Sequence, residues 1–262
     1  MKRFAWIALA LPVVLLTWFT CSNCRAIRNT AGSSQPVSHE IWDALLKRHV
    51  DADGFVDYPG MIRDSAELNR YLAVLESAHP NDRNWSREAQ MAYWINAYNA
   101  YTVQLIIRHY PVASIKDIKR GLPFVNTVWD VPFIRIESYT YDLNNIEHNI
   151  LRPVFQDARV HAAINCASYS CPKLRAEAFV AERLDAQLDD AMRTFVNDPL
   201  RNRISAERAE ISEIFKWFSG DFQRDAGSVR AFVSRYAAAP PAEGVELAYL
   251  DYDWRLNGQQ PR

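Results

Sequence analysis

Met91-Ala92-Tyr93-Trp94-Ile95-Asn96-Ala97-Tyr98-Asn99-Ala100-Tyr101 is apolar nearly all round. A helix with no polar face belongs in the middle of its domain. Ser86 stands in an N-cap position and Pro111 stops the run just after His109, so the helix spans about Ser86 to His109. Asn96 and Asn99 share one face of it. Once buried, each must find hydrogen bonds, by orienting a catalytic imidazole or by capping neighbouring backbone.

Upstream, Ser38 opens a helix through Val50 with Ile41, Leu45, Leu46 and Val50 on one side. Asp51 to Tyr58 carries carboxylates, but glycine falls at the fourth position and Ile62 where a calcium loop needs glutamate. A turn into a short strand is the reading. Asp64 and Glu67 form a capping pair for a helix to about Ala78.

Downstream, Val131 to Ile136 and Tyr139 to Asp142 read as paired strands around Glu137-Ser138. Asn144 and Glu147 form a second capping pair, placing His148 early in a short helix that Pro153 stops. Arg159 to Asn165 reads as a buried strand, with Cys166 opening the loop at its end. Ala181 to Val196 is an amphipathic helix, Glu210 to Ser212 a strand, Ile214 to Phe218 a short helix. Ser228 caps a last helix to Tyr236, and Val245 to Leu250 forms a final strand. Helices and strands mix without regular alternation. The expected fold is α+β, a single domain with the buried helix packed on a small mixed or antiparallel sheet.

A chain of 262 residues with 30 basic and 31 acidic side chains has no field to hold nucleic acid, which is excluded as a partner. Lys2 and Arg3 precede the uncharged run Phe4 to Phe19. As a helix its 16 residues would span roughly 24 Å, short of a ~30 Å bilayer core, and Pro12 interrupts it. Residues 1–22 are therefore expected to be a signal peptide or N-terminal anchor, 23–36 a linker and 37–262 the globular domain. The protein is expected in the periplasm or cell envelope, touching membrane only through that first segment.

Chemistry concentrates further along. His148, His161, Cys166 and Cys171 fall within 24 positions, with Glu147 beside the first. The period-two reading sends His161 and Asn165 to one face, so a direct His161–Cys166 pair needs a bend at Asn165. Under oxidising conditions Cys166 and Cys171 could close a disulfide, a local clamp or redox-sensitive bond.

Several motifs resemble domain-of-unknown-function family 547. They are Trp94-Ile95-Asn96-Ala97-Tyr98-Asn99-Ala100, Leu143-Asn144-Asn145-Ile146-Glu147-His148 with Leu151-Arg152, and Asn165-Cys166-Ala167-Ser168 with Ser170-Cys171-Pro172. Tyr252-Asp253-Trp254 with Leu256-Asn257 resembles the family's closing motif, so the likeness runs from about 54 to 257. It implies no established activity. The element order is also loosely similar to papain- and transglutaminase-like thiol enzymes, although the buried helix here has no cysteine.

Three readings stay open. In the first, a thiol-dependent hydrolase or acyl transferase uses Cys166 as nucleophile and His148 or His161 as base, with Glu147, Asn96 or Asp253 orienting it. Asn99, Asn165 and Ser168 are then substrate-contacting or orienting groups. In the second, a non-catalytic domain binds a peptide, a glycan or an envelope protein, and Cys166–Cys171 is a clamp. In the third, the histidines and cysteines hold zinc, but the Cys-x4-Cys gap is looser than a zinc knuckle's, so no metal and no cofactor is expected. His39, His49, His79 and His109 sit at helix ends or solvated faces.

Overall fold

The computed structural model describes residues 32–118 and 127–258; the expected leader and the first part of the linker lie outside the described residues. Helices α1 (Glu40–His49), α2 (Tyr58–Arg63) and α3 (Ser65–Glu76) gather around α4 (Arg87–His109). Every residue of α4 from Met91 to Ile106 is buried, as a helix without a polar face requires. The Ser86 hydroxyl caps it, accepting from Ala89 N at 3.1 Å. Tyr93 ties α4 to α3 by donating to Leu75 O at 2.7 Å. Asp64 stands at the start of α3 without capping it, because its carboxylate is taken by Arg48 and by His49 Nε2 at 2.8 Å. Asp51 closes a turn, accepting from Asp53 N and Phe55 N at 2.9 Å each.

Strands β1 (Ile134–Ile136) and β2 (Tyr139–Tyr141) form an antiparallel hairpin, with Glu137 in the left-handed region at φ 51°. Next comes a π-helical turn, Asn145–Leu151, continuing into α5 (Arg152–Phe155). Two expectations fail here. Asn144 caps nothing, since its amide donates to Asp130. Pro153 does not stop the helix. It lies at the junction of the π-helical turn with α5, and the helix runs on to Phe155.

The expected strand over Arg159 to Asn165 is also absent. Ala158–Ala162 forms a 3₁₀ turn, capped by the Asp157 side chain on Arg159 N at 2.9 Å. Asp157 also holds the Arg159 guanidinium at 2.8 Å, and this local capture wins over an apolar run with no neighbouring strand to pair with.

Helix α6 (Leu184–Val196) packs on that turn. The remaining sheet is mixed: β3 (Arg203–Ser205) pairs antiparallel with β4 (Arg208–Ser212), and β4 pairs parallel with β5 (Ala248–Leu250). Between them run α7 (Ile214–Trp217), α8 (Ser219–Ala226) and α9 (Val229–Tyr236). Met192, Phe195, Phe215, Phe222 and Phe232 form a second apolar cluster, separate from the larger one built on α4. The architecture is α+β. The likeness to papain and transglutaminase folds is not supported: His161 sits on a 3₁₀ turn rather than a strand, and α4 packs chiefly on helices.

Candidate active site

The loop after the 3₁₀ turn is held from both sides through its backbone. Asn99 Nδ2 donates to Ala163 O at 2.9 Å, and Asn99 Oδ1 accepts from Asn165 N at 2.8 Å. Asn165 donates to Pro172 O at 2.7 Å and accepts from Ala167 N at 2.9 Å and Asn257 Nδ2 at 3.1 Å. The C-terminal segment lies along the same loop, with Tyr169 N donating to Arg255 O at 2.7 Å and Asn257 N to Ala167 O at 3.2 Å. These bonds hold Ala167 at φ 60°, a conformation that costs an L-residue about 1–2 kcal/mol. The strained residue directly follows Cys166 and turns its thiol toward a cavity.

Cys166 is half-buried and Cys171 buried, and both are free thiols. Cys166 Sγ has three hydrogen-bond partners: Cys171 Sγ and Ser168 Oγ at 3.0 Å each, and the Tyr252 hydroxyl at 3.3 Å. Once Cys166 is ionised, each of these can donate to it. The Cys171 thiol first, then Ser168 and Tyr252, hold the Cys166 thiol below its usual range against the opposing effect of burial. Burial, followed by its bond to Cys166, pushes Cys171 the other way. Buried Arg201 donates to Cys171 O and pairs with Asp198.

The cavity beside Cys166 holds about 190 Å³ and lies at the seam between the two apolar clusters. Glu147, His148 and His161 all line it. Burial, then the neighbouring Cys166 charge, raises Glu147 to about 7, with Tyr98 as its hydrogen-bond partner. His161 is stacked on Phe218 with ring centroids 3.9 Å apart, and its Nε2 meets Asp221 Oδ2 at 2.8 Å. A carboxylate accepts, so Nε2 carries the proton and Nδ1 is the free lone pair. Arg152 Nε binds the same Asp221 oxygen at 2.7 Å, while Arg152 NH1 donates to His148 Nδ1 at 2.9 Å. Neutral His148 therefore carries its proton on Nε2. Burial lowers both imidazoles; Arg152 adds to this for His148, whereas the Asp221 bond opposes it for His161. One guanidinium and one carboxylate thus give both rings the same tautomer, with the proton on Nε2.

Trp129, Trp217, Tyr252 and Trp254 complete the wall. Trp217 is 45% exposed and stacks on Trp254 at 5.9 Å, and Tyr252 lies 4.6 Å from Trp254. Among the described residues, no group of three or more His, Cys, Asp and Glu side chains is arranged to hold a metal ion.

The sequence candidates divide. Cys166, Cys171, Glu147, His148 and His161 meet at one cavity, and Ser168 bonds the sulfur directly. Asn99 and Asn165 build the loop rather than the wall. Asn96 lies further off, bonded to the Phe179 backbone through Nδ2 at 2.7 Å and Oδ1 at 3.0 Å. The Asp253 carboxylate binds Arg255 Nε at 2.8 Å, while its neighbours Tyr252 and Trp254 face the cavity. None of the three partners of the Cys166 sulfur is an imidazole. The other four histidines are bonded locally, His39 to Tyr71, His49 to Asp64, His79 to Tyr141 and His109 to Leu105 O. Sequence reading did not single out Asp221 or Arg201, and Arg152 was present only within the Leu151-Arg152 motif. Tyr252 was present only within the closing motif.

Fold and site together define an α+β domain with a hydrogen-bonded thiol in a cavity lined by histidine, carboxylate and aromatic side chains. The family model described as "Protein of unknown function, DUF547" matches residues 83–196, and that stretch is a DUF547 domain. It covers α4, the π-helical turn, the cysteine loop and α6. No curated protein and no solved structure matches the chain.

Proposed function

We propose that this is an exported cell-envelope domain in which Cys166 acts as the nucleophile of thiol-dependent acyl transfer or hydrolysis. One observation carries the catalytic reading: a half-buried sulfur with three hydrogen-bonding neighbours shares its cavity with an Asp221-held imidazole. The leader-like pattern of residues 1–22 supports export. The Cys166 thiolate attacks the acyl carbon, and the His148 Nε2–H stabilises charge on the acyl oxygen. Protonated Glu147 gives its proton to the leaving group, so a thioester forms as the original acyl bond breaks. Water then attacks the thioester, His161 Nδ1 takes its proton, and Cys166 leaves as thiolate. Transfer of that proton from His161 to Glu147 closes the cycle.

The test is alkylation of Cys166 against pH under reducing conditions, followed by incubation with p-nitrophenyl acetate and peptide mapping. The expected result is labelling with a midpoint below the ordinary ~8.5 and an acetyl group on Cys166 that Cys166→Ala lacks. A folded protein that acquires no acetyl group would sink the reading. A second reading, a non-catalytic module for a peptide, glycan or envelope protein, draws on the absence of an imidazole among the sulfur's partners and on the exposed Trp217. It expects binding that survives Cys166→Ala.

A further inference from the structure

In the acyl-transfer reading one thiol supplies a hydrogen bond and takes no part in bond making. Cys171 is buried at 3% exposure, yet its sulfur lies 3.0 Å from Cys166 Sγ. Cys166 N also donates to Cys171 Sγ at 2.9 Å, aiming that sulfur at its neighbour across the loop. The two thiols differ in access. Half-buried Cys166 lines a cavity of about 190 Å³, several times the ~30 Å³ share of one water, whereas Cys171, on the same cavity, is buried.

We propose that Cys166 is a sulfenylation site for small hydroperoxides and that Cys171 is its resolving thiol. The Cys166 thiolate attacks the outer oxygen of the peroxide, the O–O bond breaks, and the leaving hydroxide or alkoxide takes a proton to depart as water or alcohol. Cys166 is oxidised to the sulfenic acid and the peroxide is reduced. Cys171 then attacks the sulfenic sulfur, its proton leaves with the hydroxyl as water, and the Cys166–Cys171 bond forms. A small-molecule dithiol restores both thiols by exchange. The short sulfur–sulfur approach favours this second step over further oxidation of Cys166. The oxidised loop has no nucleophile, so acyl transfer would stop reversibly.

The full chain, pre-reduced and then freed of reductant, is treated with one equivalent of hydrogen peroxide with dimedone present and mapped by mass spectrometry without reduction. The expected product is a peptide pair joined through Cys166 and Cys171, with no lasting dimedone on Cys166 and full reversal by dithiothreitol. Cys171→Ser should instead keep the dimedone adduct on Cys166. Should that variant fail to fold, the wild-type map decides alone. A lasting Cys166 adduct in the wild-type chain, a sulfinic acid there, or no oxidation at all would overturn the proposal. Acetylation of reduced Cys166 is read separately, so either reading can fail without the other.

Discussion

Residues 83–196 and residues 197–258 contribute unlike things to one cavity. The first stretch, which the family model matches, carries the sulfur, both imidazoles, Glu147 and the asparagine that holds the loop. The second carries Asp221, which fixes the His161 tautomer, Tyr252, which bonds the sulfur, and the Trp217–Trp254 wall. The reactive groups come from the first region, whereas the groups that aim them come from both: Arg152 and Ser168 from the first, Asp221 and Tyr252 from the second. The apolar side chains of the second region join Met192 and Phe195 of the first in a cluster separate from the one built on α4. The seam between the clusters is where the two sets meet around open space. Both regions grip the loop backbone, Asn99 from one side and Arg255 O and Asn257 N from the other, and the second also sets side-chain protonation through Asp221 and Tyr252.

Asn99→Ala strikes the grip. It orphans Ala163 O and Asn165 N, two buried backbone groups that water cannot easily reach. A loss of about 3 kcal/mol in urea unfolding is expected, the largest effect among these variants. A loss below about 1 kcal/mol would mean that the C-terminal segment, not α4, shapes the loop.

Asp221→Asn strikes the aim. It removes the charge that Arg152 and His161 share while keeping the side chain's shape. The expected cost is about 2 kcal/mol, with hydrolysis of an acylated Cys166 slowed on the order of a hundredfold. The sign with pH follows from the carboxyl being held well below its usual range by His161 and Arg152 against burial. That stabilisation is present above the unfolded value of about 4 and fades as pH falls further. The gap between wild type and variant should therefore narrow in acid. Equal deacylation rates in the two proteins would reduce Asp221 to a structural ion pair.

How much of this could be read from the chain depends on the kind of signal. Helix α4 was legible because a helix with no polar face has one place to go, and Ser86 marked its start. The hairpin was legible from Glu137-Ser138, and α9 from the Ser228 cap on Ala231 N. Arg159 to Asn165 misled, because an apolar run has no period that separates a strand from a buried turn, and the Asp157 side chain decided the matter locally. Cys166, Glu147, His148 and His161 stood out by residue type. Asp221 did not, being one of many carboxylates in a helix, α8, that pattern alone had not marked. Choosing Asp253 over Tyr252 missed by one position, and in an extended segment one position reverses the side chain.

Glu147→Gln tests the reactive set by pH rather than by loss. Burial raises the Glu147 carboxyl to about 7, so the fold favours its protonated form. Its contribution is intact below the unfolded value of about 4.3 and is lost as pH rises toward 7. Glutamine stays neutral. The variant should gain stability relative to wild type across that window, by on the order of 1–2 kcal/mol once water in the cavity screens part of the cost. The difference should level off above it. Paired unfolding curves at pH 5 and pH 8 supply the measurement, and a difference independent of pH would place the Glu147 titration elsewhere.

Tyr252→Phe is the finest cut between the two regions. It deletes one hydroxyl of the C-terminal segment, the one 3.3 Å from Cys166 Sγ and 2.9 Å from Ser168 Oγ, and leaves the ring in the aromatic wall. Stability should change by less than about 1 kcal/mol, since Ser168 keeps its bond to Cys166. The thiolate loses a donor, so the alkylation midpoint of Cys166 should rise by roughly half a unit to one unit. Ser168→Ala, which removes a closer donor from the family-matched stretch, should raise it further. An unchanged midpoint in Tyr252→Phe would confine the C-terminal region to holding His161 and walling the cavity. A shift as large as that of Ser168→Ala would mean that both regions tune the sulfur equally, and the second region's separate contribution to aiming would then rest on His161 alone.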